Sequence, residues 1–135
     1  MMKIRQIEFR RGSCRMALWV PMALEDMPMV NLRKFFKFMG TEFSNDESTR
    51  EFFSCIPETE EYLRECWNYE SKYFQEQYVD PDFTEKGYHI DDPKERKSRR
   101  AHNKRLENRL KKAKGRYDRF QKRIPKLKEL QELYT

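Results

Sequence analysis

Long hydrophobic runs are missing from this chain of 135 residues. Its most apolar stretch, Met16–Leu24, falls short of the roughly 18 residues that a membrane span needs. Nor do its flanks have the layout of an amino-terminal signal. The expectation is a cytoplasmic protein with no membrane partner. Cysteine is scarce too. Cys14, Cys55 and Cys66 are odd in number and widely spaced, which argues against both a disulfide framework and a zinc site. Cys66 falls on an apolar helix face and reads as a buried structural thiol. Cys14 falls near a turn, with no histidine placed to activate it. The only histidines are His89 and His102. His102 stands in a basic run and reads as a surface residue. His89, beside Asp91 and Asp92, has no ligand spacing that matches a known metal loop, so an ordinary acidic turn is expected. A Gly-rich phosphate loop, a catalytic carboxylate pair and a nucleophile elbow are likewise absent from the sequence. These gaps predict a protein that is not an enzyme and needs no metal or cofactor.

What the chain does have is charge sorted into three blocks. Residues 1–41 carry 8 Lys/Arg against 3 Asp/Glu, a net of +5. Residues 42–92 carry 4 against 15, a net of −11, and residues 93–135 carry 17 against 5, a net of +12. A surface that only needed solvation would mix the signs. Sorting them builds a dipolar molecule with one region for polyanions and one that repels them. The chain is lean in apolar residues at 37%, but 14% are aromatic, and these bury much area each. One small domain with an aromatic core and projecting helices is the expected class.

The fold class read from the pattern is α+β and mostly helical. Ile7 and Phe9 alternate with Glu8 and Arg10, the period of a half-buried strand, and Met16–Val20 reads as a more deeply buried one. Arg11-Gly-Ser13 supplies turn chemistry between them, so residues 3–20 form a β-hairpin. Pro21 and Pro28 punctuate the segment after the hairpin. Asn31–Met39 is predicted as a short Phe-rich helix capped by Asn31 and stopped by Gly40. Ser44 to Glu47 fits a capping box opening a second short helix through Phe52, Phe53 and Ile56. Pro57 then suits the first turn of an acidic, aromatic helix to about Tyr78. Its apolar arc joins Tyr62, Cys66, Tyr69 and Tyr73 to Leu63, Trp67, Phe74 and Tyr78. The Tyr and Phe sets read as core packing rather than as stacking platforms for nucleic acid.

After a loop over residues 79–93, with a brief extended segment at Tyr88–Ile90, a long basic helix begins near Pro93. Leu106, Leu110, Ala113, Tyr117, Phe120, Ile124 and Leu127 recur at spacings of 4 and 3, a heptad seam. Residues 94–106 have no apolar stripe and would be marginal as an isolated helix. Pro125 should kink or break the helix, leaving Leu127, Leu130 and Leu133 on one side of a short final segment. With Leu110 at position a, Arg109, Arg116 and Arg123 occupy g while Lys114 and Lys128 occupy e. A parallel coiled-coil homodimer would set these cations against each other and is disfavoured. The seam is short, lacks a leucine repeat and has these e/g charges, which sets it apart from a bZIP. The acidic aromatic helix is the better partner, paired antiparallel with the basic helix, its glutamates meeting the g-position arginines. The division is therefore a small α+β body with an acidic helical part over 1–92 and a basic helical extension over 93–135, packing back on the body and kinked near Pro125.

The leading functional expectation is non-enzymatic binding of DNA or RNA through Arg96, Lys97, Arg99, Arg100, Lys104, Arg105, Lys111, Lys112, Arg119 and Lys122. A row of cations along a helix can follow a phosphate backbone. Arg99, Arg100, Asn103 and Arg105 are also of the types that read base edges. The alternative is a protein inhibitor or adaptor that binds a nucleic-acid-handling enzyme or ribonucleoprotein, an anti-CRISPR-like role. It would use Glu60, Glu61, Glu65, Glu70 and Glu76 as a nucleic-acid mimic, or the basic helix on bound nucleic acid. A third possibility is a structural subunit docked on an acidic partner protein or ribosomal RNA.

Overall fold

A computed structural model describes residues 5–11, 14–39 and 47–134 of the chain. The order is β1 (Gln6–Arg11), β2 (Cys14–Trp19), α1 (Val20–Asp26), α2 (Met29–Met39), α3 (Glu47–Gln77) and α4 (Pro93–Tyr134). The architecture is α+β and mostly helical, with an antiparallel hairpin at the amino-terminal end and α3 and α4 packed against each other. Among the described residues no helix is long and apolar enough to cross a membrane. The chain forms two compact units, Met1–Tyr62 with Asp118–Thr135, and Leu63–Tyr117. α3 and α4 each supply residues to both units.

In the first unit, β1 pairs with β2 in the register Ile7↔Leu18 and Phe9↔Met16. Ile7 and Phe9 are buried and Glu8 is exposed, as their alternation requires. Arg15 bonds Glu8 diagonally across the pair. The deep burial expected of β2 is not found. Met16 and Ala17 are exposed, and Trp19 is 50% exposed. A two-stranded sheet covers one face only, and a short apolar run does not reveal which face or element it serves. Nor does the strand reach Val20. That residue opens α1, where Pro21 in the first turn has the fixed φ that a helix start favours. Pro21 aside, the residue pattern gives no sign of this helix. The turn at Gly12 and Ser13, Gly40, and Ser44 to Asp46 of the capping box lie outside the described residues.

Asn31 does not cap α2. The helix starts two residues earlier, and the amides of Asn31 and Leu32 both donate to the Pro28 carbonyl, at 2.9 and 3.1 Å. The core of this unit is a phenylalanine cluster. Phe9 meets Phe35 edge-on at 5.0 Å between centroids, Phe36 stacks on Phe53 at 5.2 Å, and Phe52 stands edge-on to Phe53 at 5.2 Å. Leu24, Leu32, Phe120, Leu127 and Leu130 complete it.

That packing explains two further differences. Pro57 lies inside a continuous α3 rather than at the start of a new helix, and at Pro125, where a kink or a break is expected, α4 is not broken. Each proline removes one backbone hydrogen bond and crowds the carbonyl four residues back. Around Pro57 the loss is offset by burial on both sides, at Phe52, Phe53, Ile56 and Thr59. Side chains also bond to the nearby backbone. The Thr59 hydroxyl donates to the Cys55 carbonyl at 2.9 Å, and the Ser54 hydroxyl to the Glu51 carbonyl at 2.7 Å. Leu127 and Leu130 anchor α4 beyond Pro125 in the same way. Leu133, expected on their side, is 74% exposed.

Candidate nucleic-acid interface

The second unit is a helical hairpin built from the end of α3, a loop and the first half of α4. Residues 63–117 carry 15 Lys/Arg against 10 Asp/Glu, a net of +5 of the chain's +6. Leu63, Leu106 and Ala113 are buried between the helices, and Ile90 folds in from the loop. Leu110, Trp67, Phe74 and Tyr117 are half-buried. Trp67 and Tyr117 meet at 5.4 Å between ring centroids. The antiparallel pairing is direct: Arg109 bonds Glu70, whereas further along α4 Tyr117 meets Arg64 and Trp67, earlier in α3.

Few apolar side chains line residues 94–105, yet this stretch is helical, and polar bonds hold it. Asp92 caps α4: its carboxylate accepts from the Lys94 amide at 2.9 Å and its carbonyl from the Arg96 amide at 3.1 Å, with Pro93 in the first position. Asn103, buried, acts as a two-sided lock. Its Nδ2 donates to the Val79 carbonyl at 2.6 Å, and its Oδ1 accepts from the Val79 amide at 3.1 Å. His102 Nε2 is 2.8 Å from the Gln77 carbonyl, and an Arg99 N–H donates to the Asp80 carbonyl at 3.2 Å. These side chains satisfy backbone groups that the end of α3 leaves open. The loop itself turns at Gly87, whose φ of +85° is one that a side chain would strain. Its strand-like segment is a single bridge between Phe83 and His89.

The candidate residues separate accordingly. Asn103 is removed from any base-reading role, because both ends of its amide are bound to Val79. Arg99 is half-buried, on Asp80 and Glu95. Arg100 pairs with Asp82 at 3.2 Å, and Arg96 is half-buried with its Nε enclosed and, among the described residues, without a hydrogen-bond partner. Lys97, Lys104, Arg105, Lys111 and Lys112 are exposed on the outer side of α4. Of these only Lys104 has an ion pair among the described residues, a loose one with Glu107 at 3.8 Å, and exposed i,i+3 pairs of this kind hold a lysine weakly. Arg119 and Lys122 are exposed on the part of α4 that belongs to the first unit.

The g-position arginines do not all meet glutamates. Arg109 does: it bonds Glu70 at 3.0 Å, and its guanidinium carbon stands 4.3 Å from the centre of the Tyr73 ring. The Glu70 hydrogen bond raises its pKa above the usual arginine value. Arg123 instead donates to the carbonyls of Glu25 and Met27 at the end of α1, where a cation complements the helix dipole. Burial lowers its pKa.

Among the acidic candidates, Glu70 points to α4 and is engaged, while Glu61, Glu65 and Glu76 are exposed and Glu60 is half-buried. Glu76 lies 4.0 Å from Lys72. Cys66, expected to be buried, is half-buried, and Phe38, Tyr69 and Tyr78 of the expected core are exposed. His89 pairs with Asp91 at 3.0 Å. Among the described residues no three His, Cys, Asp or Glu gather into a possible metal site. No protein-family model, curated protein or solved structure matches this chain.

Proposed function

We propose that the protein binds nucleic acid without catalysing a reaction, and that the first half of α4 contacts the phosphates. The observation that carries this reading is a stripe of exposed cations. Lys97, Lys104 and Lys111 repeat at heptad spacing on one helix face, and Arg105 and Lys112 repeat at the same spacing beside them. Between Lys94 and Arg116 there are 12 Lys/Arg and only two acids, Glu95 and Glu107. Inward-facing side chains of this helix are committed to the loop and to α3, so the outer cations stand on a fixed support. A surface needing only solvation would not concentrate one sign on one helix. Each phosphate that a cation neutralises releases counterions, which makes affinity fall with salt.

A second reading keeps the inhibitor or adaptor. The exposed carboxylates of Glu61, Glu65 and Glu76 on α3 would then face the basic channel of a nucleic-acid-handling enzyme. On that reading the chain alone has no salt-dependent affinity for free nucleic acid, and the same experiment separates the two. Salt-dependent anisotropy titrations compare the wild-type chain with a Lys97→Gln, Lys104→Gln, Lys111→Gln variant and with a control, Arg33→Gln, Lys34→Gln, Lys37→Gln, of equal charge change on α2. The α4 variant should lower the log–log salt slope by about 2 on a single strand and about 2.7 on a duplex. The α2 control should keep the wild-type slope. Equal losses in both variants would reduce the effect to net charge and refute α4 as the interface.

A further inference from the structure

Tyr69 and Tyr73 share a stripe expected in the core, yet Tyr69 is 62% exposed. It is not a loose surface side chain. Its ring lies nearly parallel to Tyr73, with an interplanar angle of 10° and centroids 6.2 Å apart. Tyr73 is half-buried and lies against the Arg109 guanidinium, which Glu70 fixes in place. Arg109, Tyr73 and Tyr69 therefore form a series that runs from the interhelical contact to solvent and ends in an exposed aromatic ring. Along α4, Arg105 lies four residues before Arg109 and Lys112 three residues after it, so both share its side of the helix. Both are exposed, and neither forms an ion pair among the described residues. The same flank of the hairpin thus carries a held aromatic platform and exposed cations.

From this placement we infer that Tyr69 is a base-stacking platform and that the interface takes single-stranded nucleic acid. The inference rests on the phosphate-binding reading of α4 and adds the ligand's form to it. A single strand presents unpaired bases whose faces stack on an aromatic ring, while its phosphates follow Arg105 and Lys112. A duplex keeps its bases stacked inside and meets only the cations. Tyr73 and Arg109 act as positioning residues, since they hold the orientation of Tyr69.

The test uses the full chain with two labelled probes, a short oligothymidylate and a duplex. Tyr69→Ala should weaken oligothymidylate binding about ten- to a hundredfold, the range of one base–aromatic contact, and leave duplex binding unchanged. Tyr69→Phe, which keeps the ring, should restore single-strand affinity. Because Tyr69 is exposed, neither change should alter the circular dichroism spectrum. If Tyr69→Ala weakens both probes equally or neither, the stacking role is overturned while phosphate binding by α4 stands. If the wild-type chain binds neither probe at low salt, the phosphate reading fails and this inference fails with it.

Discussion

The two compact units are held together by different chemistry. The first has nearly balanced charge, 14 Lys/Arg against 13 Asp/Glu, and a core of phenylalanine rings in mutual contact. The second has few buried apolar side chains and relies on side chains that bond the backbone, with Asn103 on Val79, His102 on Gln77 and Arg99 on Asp80. Apolar burial is non-directional and gives stability in proportion to area. Hydrogen bonds contribute less net stability but are costly to break when the partner is left buried. A helix whose inner side is secured by polar bonds can leave its outer side to charge mostly of one sign, and the first half of α4 does so.

Substitutions probe that contrast. The largest loss should come from Phe52→Ala, since the ring is fully buried among Phe9, Phe36 and Phe53. About 3–5 kcal/mol should disappear from the unfolding free energy in a urea titration. Asn103→Ala should cost about 1–3 kcal/mol, by stranding the amide and carbonyl of Val79. It should also speed hydrogen exchange at Val79. If Asn103→Ala is neutral and exchange does not change, the second unit is not held by polar bonds. Pro57→Ala should have a smaller effect of opposite sign. Restoring the helix hydrogen bond to the Phe53 carbonyl at an exposed site should add about 1–2 kcal/mol, below the roughly 3 kcal/mol cost of an interior proline, because the buried neighbours on both sides already hold the helix around it. Thiol chemistry gives the finest comparison. Burial raises the Cys55 pKa, and its thiol donates to the Glu51 carbonyl at 3.4 Å. Cys66 is only half-buried. Mass spectrometry after brief iodoacetamide treatment at neutral pH should find Cys66 modified well before Cys55.

Much of the first unit is legible in the sequence because its signals are local. The Ile7 and Phe9 alternation and the adjacent phenylalanines of α2 and α3 are patterns of a few residues, and all fall where burial is expected. The heptad seam is legible as well: Leu106, Ala113, Phe120 and Leu127, seven apart, are all buried. Expectation and structure part where tertiary packing outweighs a local rule. Proline ends helices in isolation, but burial on both sides of Pro57 and beyond Pro125 keeps α3 and α4 continuous. Val20–Asp26 is hidden because its apolar run is as consistent with a strand as with a helix. At the candidate interface the sequence shows the cations but not their commitments. Asp92-Pro93 is a readable cap and first turn. Asn103, three residues before Leu106, already stands on the seam side of the helix. Tyr69 groups with the core by pattern because it shares a helical stripe with Tyr73, and spacing alone does not tell how far α4 extends over that stripe.

The most direct measurement is fluorescence anisotropy of the wild-type chain with labelled single strand and duplex over a range of salt concentrations. Binding to both is expected at low salt, tighter on the single strand, with log affinity falling linearly as log salt rises. Absence of binding at low salt, or affinity indifferent to salt, would contradict phosphate binding by α4.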